Sequence, residues 1–310
     1  MTGAVIYATN QGLGIQAKTF HDNGIIDVVF IQKHSTYENH YEWYENKVNS
    51  FEELLDKCDK IIFFEIAYDW KYILRARERG VKTIFFLMYE CTQNPLPYFP
   101  DVLVGGSVME REYFGDRVKV INVPVEDNIK YKKRKMAKVF VHNAGHGGLA
   151  GRNGTKELIQ AIPMVKSDCK FIIRSQFPLD IPYDDPRLTV LIGDQPYETL
   201  FATGDVFVYP DKFGGSCLPL QEAHAHGMAV MASNRHPSNT WLPNEILIPI
   251  QGYKKERVYS IIDSAIVLPE DIAKTIDEWY GKDISHLSEI GIQWGEDNSW
   301  SKLKKQYEML

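Results

Sequence analysis

The chain has 310 residues, a formal net charge of −6, 44% hydrophobic and 25% charged residues. These values match an average folded protein and exclude intrinsic disorder, a collagen-like repeat or a disulfide scaffold as descriptions of the whole. The length accommodates two domains or one large one, with a core that needs no metal or disulfide, and the acidic balance disfavours wholesale binding of nucleic-acid phosphates while leaving a local basic patch open.

In chain order, Ala4–Tyr7 reads as a first core strand, followed by a turn carrying Gly12 and Gly14 and a helix to about Asp22. Ile26–Ile31 is a second strand, Phe51–Asp56 opens a helix and Lys60–Phe64 is a buried strand. Trp70–Arg79 is helical and stops at Gly80, as helices often do. Val81–Leu87, Asp101–Val104 and Val118–Val123 are strands, with a helix at Met109–Phe114. Strands separated by helices predict a parallel α/β sheet. A basic run follows (Lys130, Lys132, Lys133, Arg134, Lys135, Lys138) and reads as a solvated linker or helix face.

The alternation then restarts. Val139–His142 is a strand, and Gly145, Gly147, Gly148 and Gly151 form a glycine-rich loop before a helix at Thr155–Val165. Lys170–Arg174, Leu188–Ile192, Asp205–Tyr209, Met228–Ala232 and Ile246–Ile250 are expected strands. Tyr197–Thr203, Leu218–His226, Glu270–Tyr280 and Trp300–Leu310 are expected helices. The natural parse is two α/β units joined near residues 125–137, a first over 1–128 and a second over 129–295, with a closing segment over 296–310.

Cys58, Cys91, Cys169 and Cys217 are far apart and include no Cys-x-x-Cys pair. That spacing points to neither zinc nor a redox pair, and fits a reducing, cytoplasmic setting. The opening MTGAVIYATNQGLG reads as a core strand rather than a signal peptide. No run approaches the roughly 18 apolar residues of a membrane span.

The chemistry is expected in loops that leave strands and enter helices, where open α/β sheets bind ligands. The loop His142–Lys156 brings glycines, a helix N-terminus, the planar donor fork of Arg152 and the mobile charge of Lys156, a set suited to a diphosphate. It is neither a Walker A loop nor a Gly-x-Gly-x-x-Gly dinucleotide loop, which disfavours an NAD-dependent enzyme. In the second loop, Pro210–Ala223, the amides of Gly214, Gly215 and Ser216 can hold an anion, and Glu222 suits the two hydroxyls of a ribose. His224 and His226 are two apart on a helix, face opposite ways and cannot share a metal.

Residues 205–233, DVFVYPDKFGGSCLPLQEAHAHGMAVMAS, resemble the nucleotide-sugar signature of retaining glycosyltransferases with two Rossmann-like domains, the GT-B fold. The segment from Gly151 to Ala161 resembles that family's GR-x-x-KGT-x-x-L-x-x-A stretch. Leu191–Asp194 with Leu200, Val120–Asp127, and Ser299-Trp300-Ser301 through Tyr307 hold the register of its other segments. The resemblance is strongest after residue 139.

It implies that Arg152 contacts the donor diphosphate, that Glu222 holds the ribose, and that Gly214, Gly215, Ser216, Cys217 and Leu218 cap the diphosphate and sugar. Gly12, Gly14, Gly147, Gly148, Lys156 and Arg174 complete the implied donor set. The closing helix would cross back to the first domain, and donor and acceptor would meet between the domains.

The chain departs from the family at named positions. Where the first of two glutamates in Glu-x7-Glu is usual stands Gly214, with Asp211 three residues upstream. A first-domain histidine that often touches the donor sugar aligns with Tyr89-Glu90, and the lysine of KGT aligns with Asn153. Gly214, Asp211 and Glu90 therefore occupy the catalytic positions.

The implied reaction is transfer of a sugar from a nucleotide-diphosphate donor, UDP-sugar first, to an acceptor hydroxyl with retention, with no metal and no further cofactor. Cationic side chains and helix dipoles would stabilise the leaving diphosphate. On the acceptor side stand Glu65, Tyr68 and Asp69 after a first-domain strand, with Tyr37, Tyr41, Trp43 and Tyr44 as rings to stack on a sugar or a base. The acceptor is a glycan, a small molecule, or a hydroxymethylated DNA base as in viral enzymes of this kind. The eroded glutamate motif leaves a catalytically inactive nucleotide-sugar-binding protein as the alternative.

Overall fold

Short runs that are apolar on both faces can be buried only in a sheet covered on two sides. In the computed structural model, which describes residues 1–146 and 151–310, such runs build two parallel sheets. The chain divides into one unit of Met1–Pro124 with Trp300–Leu310 and another of Val125–Ser299. The Val125 N–H donates to the Asn298 carbonyl at 3.0 Å and Val125 bridges Ser299, so the two places where the chain changes unit are side by side.

The first unit contains β1 (Thr2–Tyr7), α1 (Gly12–Asp22), β2 (Val28–Gln32), β3 (Lys47–Val48), α2 (Phe51–Lys57), β4 (Lys60–Phe64) and α3 (Lys71–Glu78). It continues through β5 (Lys82–Leu87), β6 (Val102–Gly105), α4 (Val108–Phe114) and β7 (Val118–Val120). The sheet order is β3-β2-β1-β4-β5-β6-β7.

Side chains alternate across the sheet as the strand period requires. Ala4, Ile6, Ile62, Phe64, Ile84 and Phe86 join Phe20 on one face, and Val5, Ile61, Phe63 and Phe85 join Leu54 and Ile73 on the other. The β1–α1 turn is tight. A Cβ on Gly14 would stand 2.1 Å from the Thr9 carbonyl oxygen, so only glycine fits there. Helix α4 starts on a capping box, with Ser107 and Glu110 satisfying each other's backbone amides.

The second unit contains β8 (Val139–Gly145), α5 (Thr155–Ala161), β9 (Lys170–Ser175), β10 (Leu188–Ile192), α6 (Tyr197–Leu200), β11 (Val206–Tyr209), α7 (Leu218–Ala225) and β12 (Ala229–Ala232). An antiparallel hairpin of β13 (Tyr253–Arg257) and β14 (Ile261–Ala265) follows, then α8 (Pro269–Trp279) and α9 (Ser285–Asp297). The sheet order β10-β9-β8-β11-β12 repeats the third-second-first-fourth-fifth order of the first unit, which is the Rossmann order. Helix α10 (Trp300–Glu308) returns to the first unit, where Trp300 and Tyr307 sit edge-on to Phe20 at 5.0 and 4.9 Å.

Three expectations need correction. Ile246–Ile250 is not a strand: a 3-10 turn covers Asn244–Ile246 and only a single bridge joins Ser233 to Ile248. Pro249 has no N–H to extend the ladder. The basic run forms no helix and is not wholly solvated, because Arg134 is 2% exposed. Tyr44 is buried, edge-on to His21 at 4.9 Å, and has no face for a ligand.

The β13–β14 hairpin and α9 were not anticipated. β13 is charged along both faces, and α9 contains Gly291 and Gly295, which weaken a helical reading. Packing explains both glycines. Their Cβ atoms would stand 2.3 Å from the His224 carbonyl oxygen and 2.7 Å from Ala225 Cβ, so they let α9 lie directly against α7.

Candidate functional site

Each sheet reverses its strand order once, at β1/β4 and at β8/β11, and ligands of open α/β sheets bind beyond the strand ends at such points. In the second unit the loops leaving β8 and β11 are joined by several independent contacts. His142, buried in the middle of β8, donates from Nδ1 to the Val208 carbonyl and accepts at Nε2 from the Thr155 hydroxyl, both at 2.8 Å. The carbonyl can only accept, which fixes this tautomer. One ring thus ties β8, β11 and the start of α5 together.

Burial pushes the His142 pKa down to about 4. The unfolded chain therefore takes a proton below about pH 6.5 that the native ring refuses until about pH 4, and stability falls over that window as pH falls. The stability difference between the protein and its His142→Asn variant should shrink by about 3 kcal/mol between pH 7 and pH 4. Urea unfolding at the two pH values measures this, with contributions of other groups cancelling in the difference.

Gly154 caps α5 at φ 68°, and a Cβ there would stand 2.0 Å from the Pro210 carbonyl oxygen. The Lys212 amide donates to the Arg152 carbonyl at 2.8 Å, and the Lys212 ammonium pairs with Glu157 at 2.7 Å, both side chains being 17% exposed. Asn153, at the position of the family's usual lysine, is buried and donates to the Ala144 carbonyl at 2.9 Å. Arg152 lies within electrostatic reach of Tyr209 and Cys217, and burial pushes the Cys217 thiol up to about 12. Lys156 is exposed on α5. Gly147 and Gly148 lie outside the described residues.

The loop from Asp211 to Cys217 wraps a buried ion pair. Arg235 and Asp211 are each 1% exposed and bonded to one another. The same guanidinium donates to the Gly214 carbonyl at 2.9 Å and the His236 carbonyl at 2.8 Å. Asp211 is therefore engaged from inside the fold. Gly214 has φ 135°, a conformation open to glycine and strained for other residues. Gly215, Ser216 and Cys217 follow, and Leu218 begins α7, where Pro219 has no N–H and the Leu220 and Gln221 amides donate to the Cys217 carbonyl at 3.0 and 3.2 Å.

Glu222, half-buried on α7, accepts from the Tyr197 hydroxyl at 2.9 Å. Burial raises its carboxyl to about 7; Tyr197 pulls it down and nearby Glu126 pushes it up. Arg174 is buried and donates to Asn143 Oδ1 and the Leu200 carbonyl, each at 3.2 Å, and to Thr203 Oγ1 at 2.6 Å. It braces the connection from α6 to β11. His224 is buried between Trp241 and Trp294, with ring centroids 5.8 and 5.9 Å away.

In the first unit, Glu65 and Tyr68 follow β4 with φ of 60° and 59°. Non-glycine residues held there cost of order 1–3 kcal/mol each, and such strain clusters at functional sites. The Glu65 amide donates to the Phe86 carbonyl at 2.7 Å, and its carbonyl accepts from Thr92 Oγ1 at 2.8 Å. Tyr68 sits edge-on to Tyr7 at 4.8 Å, Tyr7 meets His34 at 4.7 Å, and His34 meets Tyr37 at 4.7 Å. These half-buried rings line the ends of β1, β2 and β4.

Asp69 Oδ1 accepts from the Lys71 amide at 2.9 Å and starts α3. Glu90 is buried beside Glu110, whose carboxyl burial raises to about 7. Trp43 stacks on His40 at 4.4 Å, while Tyr41 is exposed. Gly12 and Gly14 stand at the start of α1.

The structure thus gathers Arg152, Asp211, Gly214 and Cys217 at one point of the second unit, while Lys156 faces solvent and Arg174 turns to its own scaffold. Sequence reasoning assigned no role to His142, Tyr197, Lys212 or Arg235. Among the described residues, no group of three or more His, Cys, Asp and Glu is placed to hold a metal, and no helix is long and apolar enough to cross a membrane.

No protein-family model matches this sequence, and no curated protein matches it. Solved structures do match the fold. Anabaena HepE, solved with UDP and glucose, is 11% identical with a TM-score of 0.69, over 99% of this chain and 98% of that one. A glycosyltransferase from Rickettsia africae is 13% identical with a TM-score of 0.69, over 99% and 97%. Sucrose-phosphate synthase from Thermosynechococcus elongatus is 12% identical with a TM-score of 0.64, over 99% and 97%. The fold is therefore that of glycosyltransferases built from two Rossmann-like units.

Proposed function

We propose that this chain is a retaining glycosyltransferase that moves a sugar from a nucleoside-diphosphate donor, UDP-sugar first, to an acceptor hydroxyl. The observation that carries the reading is the joining of the β8 and β11 loops through Gly154, Lys212 and His142, which brings the Arg152 segment beside the N-terminus of α7. A cation and a helix N-terminus on one rigid loop pair form a site for a diphosphate. HepE, of the same fold, was solved with UDP and glucose.

In this reading Arg152 meets the diphosphate, Gly214–Leu218 cap it, and the free oxygen positions of Glu222 take the ribose hydroxyls. Gly12, Gly14 and Glu90 belong to the donor set in this reading. Glu65, Tyr68 and Asp69 serve the acceptor, and the Tyr7–His34–Tyr37–Tyr68 rings offer apolar faces to a sugar or small molecule. The acceptor oxygen bonds to the anomeric carbon on the face the diphosphate leaves, the carbon–oxygen bond to phosphate breaks, and the acceptor proton passes to the departing phosphate oxygen. Cationic side chains carry the leaving charge in place of a metal. Among the described residues no disulfide joins the four cysteines, which fits a reducing cytoplasm.

The test is UDP binding at pH 8, where Glu222 is ionised. Arg152→Ala and Glu222→Ala should each weaken it by about 1–3 kcal/mol, the worth of a charged hydrogen-bond partner. Unchanged affinity in both sinks the assigned site. A second reading, a nucleotide-sugar-binding protein without turnover, is favoured by Asp211 being held by Arg235 and by the lack of a side chain at Gly214. UDP release from UDP-sugars with glycans, small alcohols and hydroxymethylated DNA separates the two. Binding without release in any of them leaves the second.

A further inference from the structure

We propose that Arg235, held by Asp211, is a positioning residue that turns the Gly214–Gly215 peptide so that its N–H faces the donor diphosphate. This rests on the donor site proposed above and goes further, because Arg235 touches no ligand in it. The guanidinium is 1% exposed, lies behind the loop and takes the Gly214 carbonyl at 2.9 Å. The Gly214–Gly215 bond is trans, since the cis bonds of the described residues are Asn94-Pro95 and His236-Pro237. In a trans peptide the C=O and N–H point opposite ways.

A carbonyl drawn onto a buried cation therefore turns the Gly215 N–H, on a residue that is itself buried, to the side away from Arg235. It joins the amides of Ser216, Cys217 and Leu218 as a short run able to cradle an anion, which stops at Pro219 because that residue has no N–H. The φ of 135° at Gly214 permits this turn and is unfavourable for a glutamate. The position that carries a carboxylate in similar sequences here supplies a backbone hinge, fixed from below. Without Arg235 the carbonyl is free to swing out and oppose the phosphates with its own negative end.

The test uses the whole chain and the double variant Asp211→Leu/Arg235→Met. Replacing a buried ion pair by apolar side chains of similar size is often neutral for folding, but the Gly214 and His236 carbonyls also lose their donor, so the variant should melt below the parent while remaining folded. Calorimetry with UDP should show binding weakened tenfold or more, while uridine, which lacks phosphates, binds both proteins equally. In the parent labelled with 15N-glycine, the Gly215 resonance (assigned by its loss in Gly215→Ala) should shift as UDP saturates.

A folded double variant that binds UDP like the parent overturns the proposal, as does an equal loss for UDP and uridine. If the double variant does not fold, the parent resonance decides, and a Gly215 signal unmoved by bound UDP overturns it. A parent that binds no nucleoside diphosphate overturns the donor reading and this inference with it, an outcome distinct from failure in the variant alone.

Discussion

Arg134→Ala is expected to lower the unfolding free energy of the second unit by about 3–5 kcal/mol, a large share of a typical domain's stability. Arg134 belongs to a run of exposed lysines yet is almost fully buried. Its guanidinium donates to the carbonyls of Lys132 (2.5 Å), Phe201 (2.6 Å), Gly204 (3.3 Å) and His226. Among the described residues no carboxylate pairs with it at these distances, and burial lowers its pKa to about 10. Truncation removes the charged donor, leaving the buried Phe201 carbonyl without it while the His226 carbonyl keeps the Lys132 amide, each lost bond to a charged group being worth about 1.5–3 kcal/mol. The terms overlap, so the whole is less than their sum.

Arg134→Lys should recover only part of the loss, because an ammonium lacks the fork that reaches separated acceptors. Lys133→Ala, one residue away and exposed, should change stability by less than about 0.5 kcal/mol. Urea unfolding of the three variants measures this. A loss below about 1 kcal/mol for Arg134→Ala would mean that water replaces the guanidinium.

Trp300→Ala is expected to cost the first unit about 3–5 kcal/mol, the usual range for removing a large buried aromatic. The ring is 1% exposed, edge-on to Phe20 at 5.0 Å and 5.8 Å from Tyr307. Tyr307 in turn stacks on Phe86 at 5.9 Å and donates to the Asn122 carbonyl at 2.6 Å. The damage should be local. In calorimetry or hydrogen exchange, β1, β4 and β5 should lose protection while β8 and β11 keep theirs. Equal loss in both sheets would contradict this assignment of α10 to one core.

Most strands were legible because a doubly covered strand leaves an apolar run in the sequence: Lys60–Phe64 has the expected bounds, and Leu188–Ile192 does too, although that edge strand is partly exposed. Ile246–Ile250 failed as a strand because apolarity was weighed there and the missing amide of Pro249 was not. α9 was hidden by glycines whose reason lies in a neighbouring helix. The two glycine-rich loops of the second unit were legible from composition and spacing.

What holds those loops was not legible. Arg134 reaches carbonyls from three stretches of chain, and Arg235 reaches back 21 residues to Gly214. A carbonyl acceptor belongs to every residue, so no residue type marks it in advance. Strained backbone at Glu65 and Tyr68 is likewise a property of the folded loop, not of the letters.

The first unit is written in two pieces around an uninterrupted second one, and this sets an order of events during synthesis. Residues 125–299 leave the ribosome before Trp300 and Tyr307 exist. The Phe20, Phe64 and Phe86 face, with α1 already in place, then lacks α10 while an entire second unit is being made. The nascent chain thus carries an incompletely covered aromatic surface while residues 125–299 are made, a handle for chaperones and a hazard on crowded polysomes. Residues Trp300–Leu310 close it.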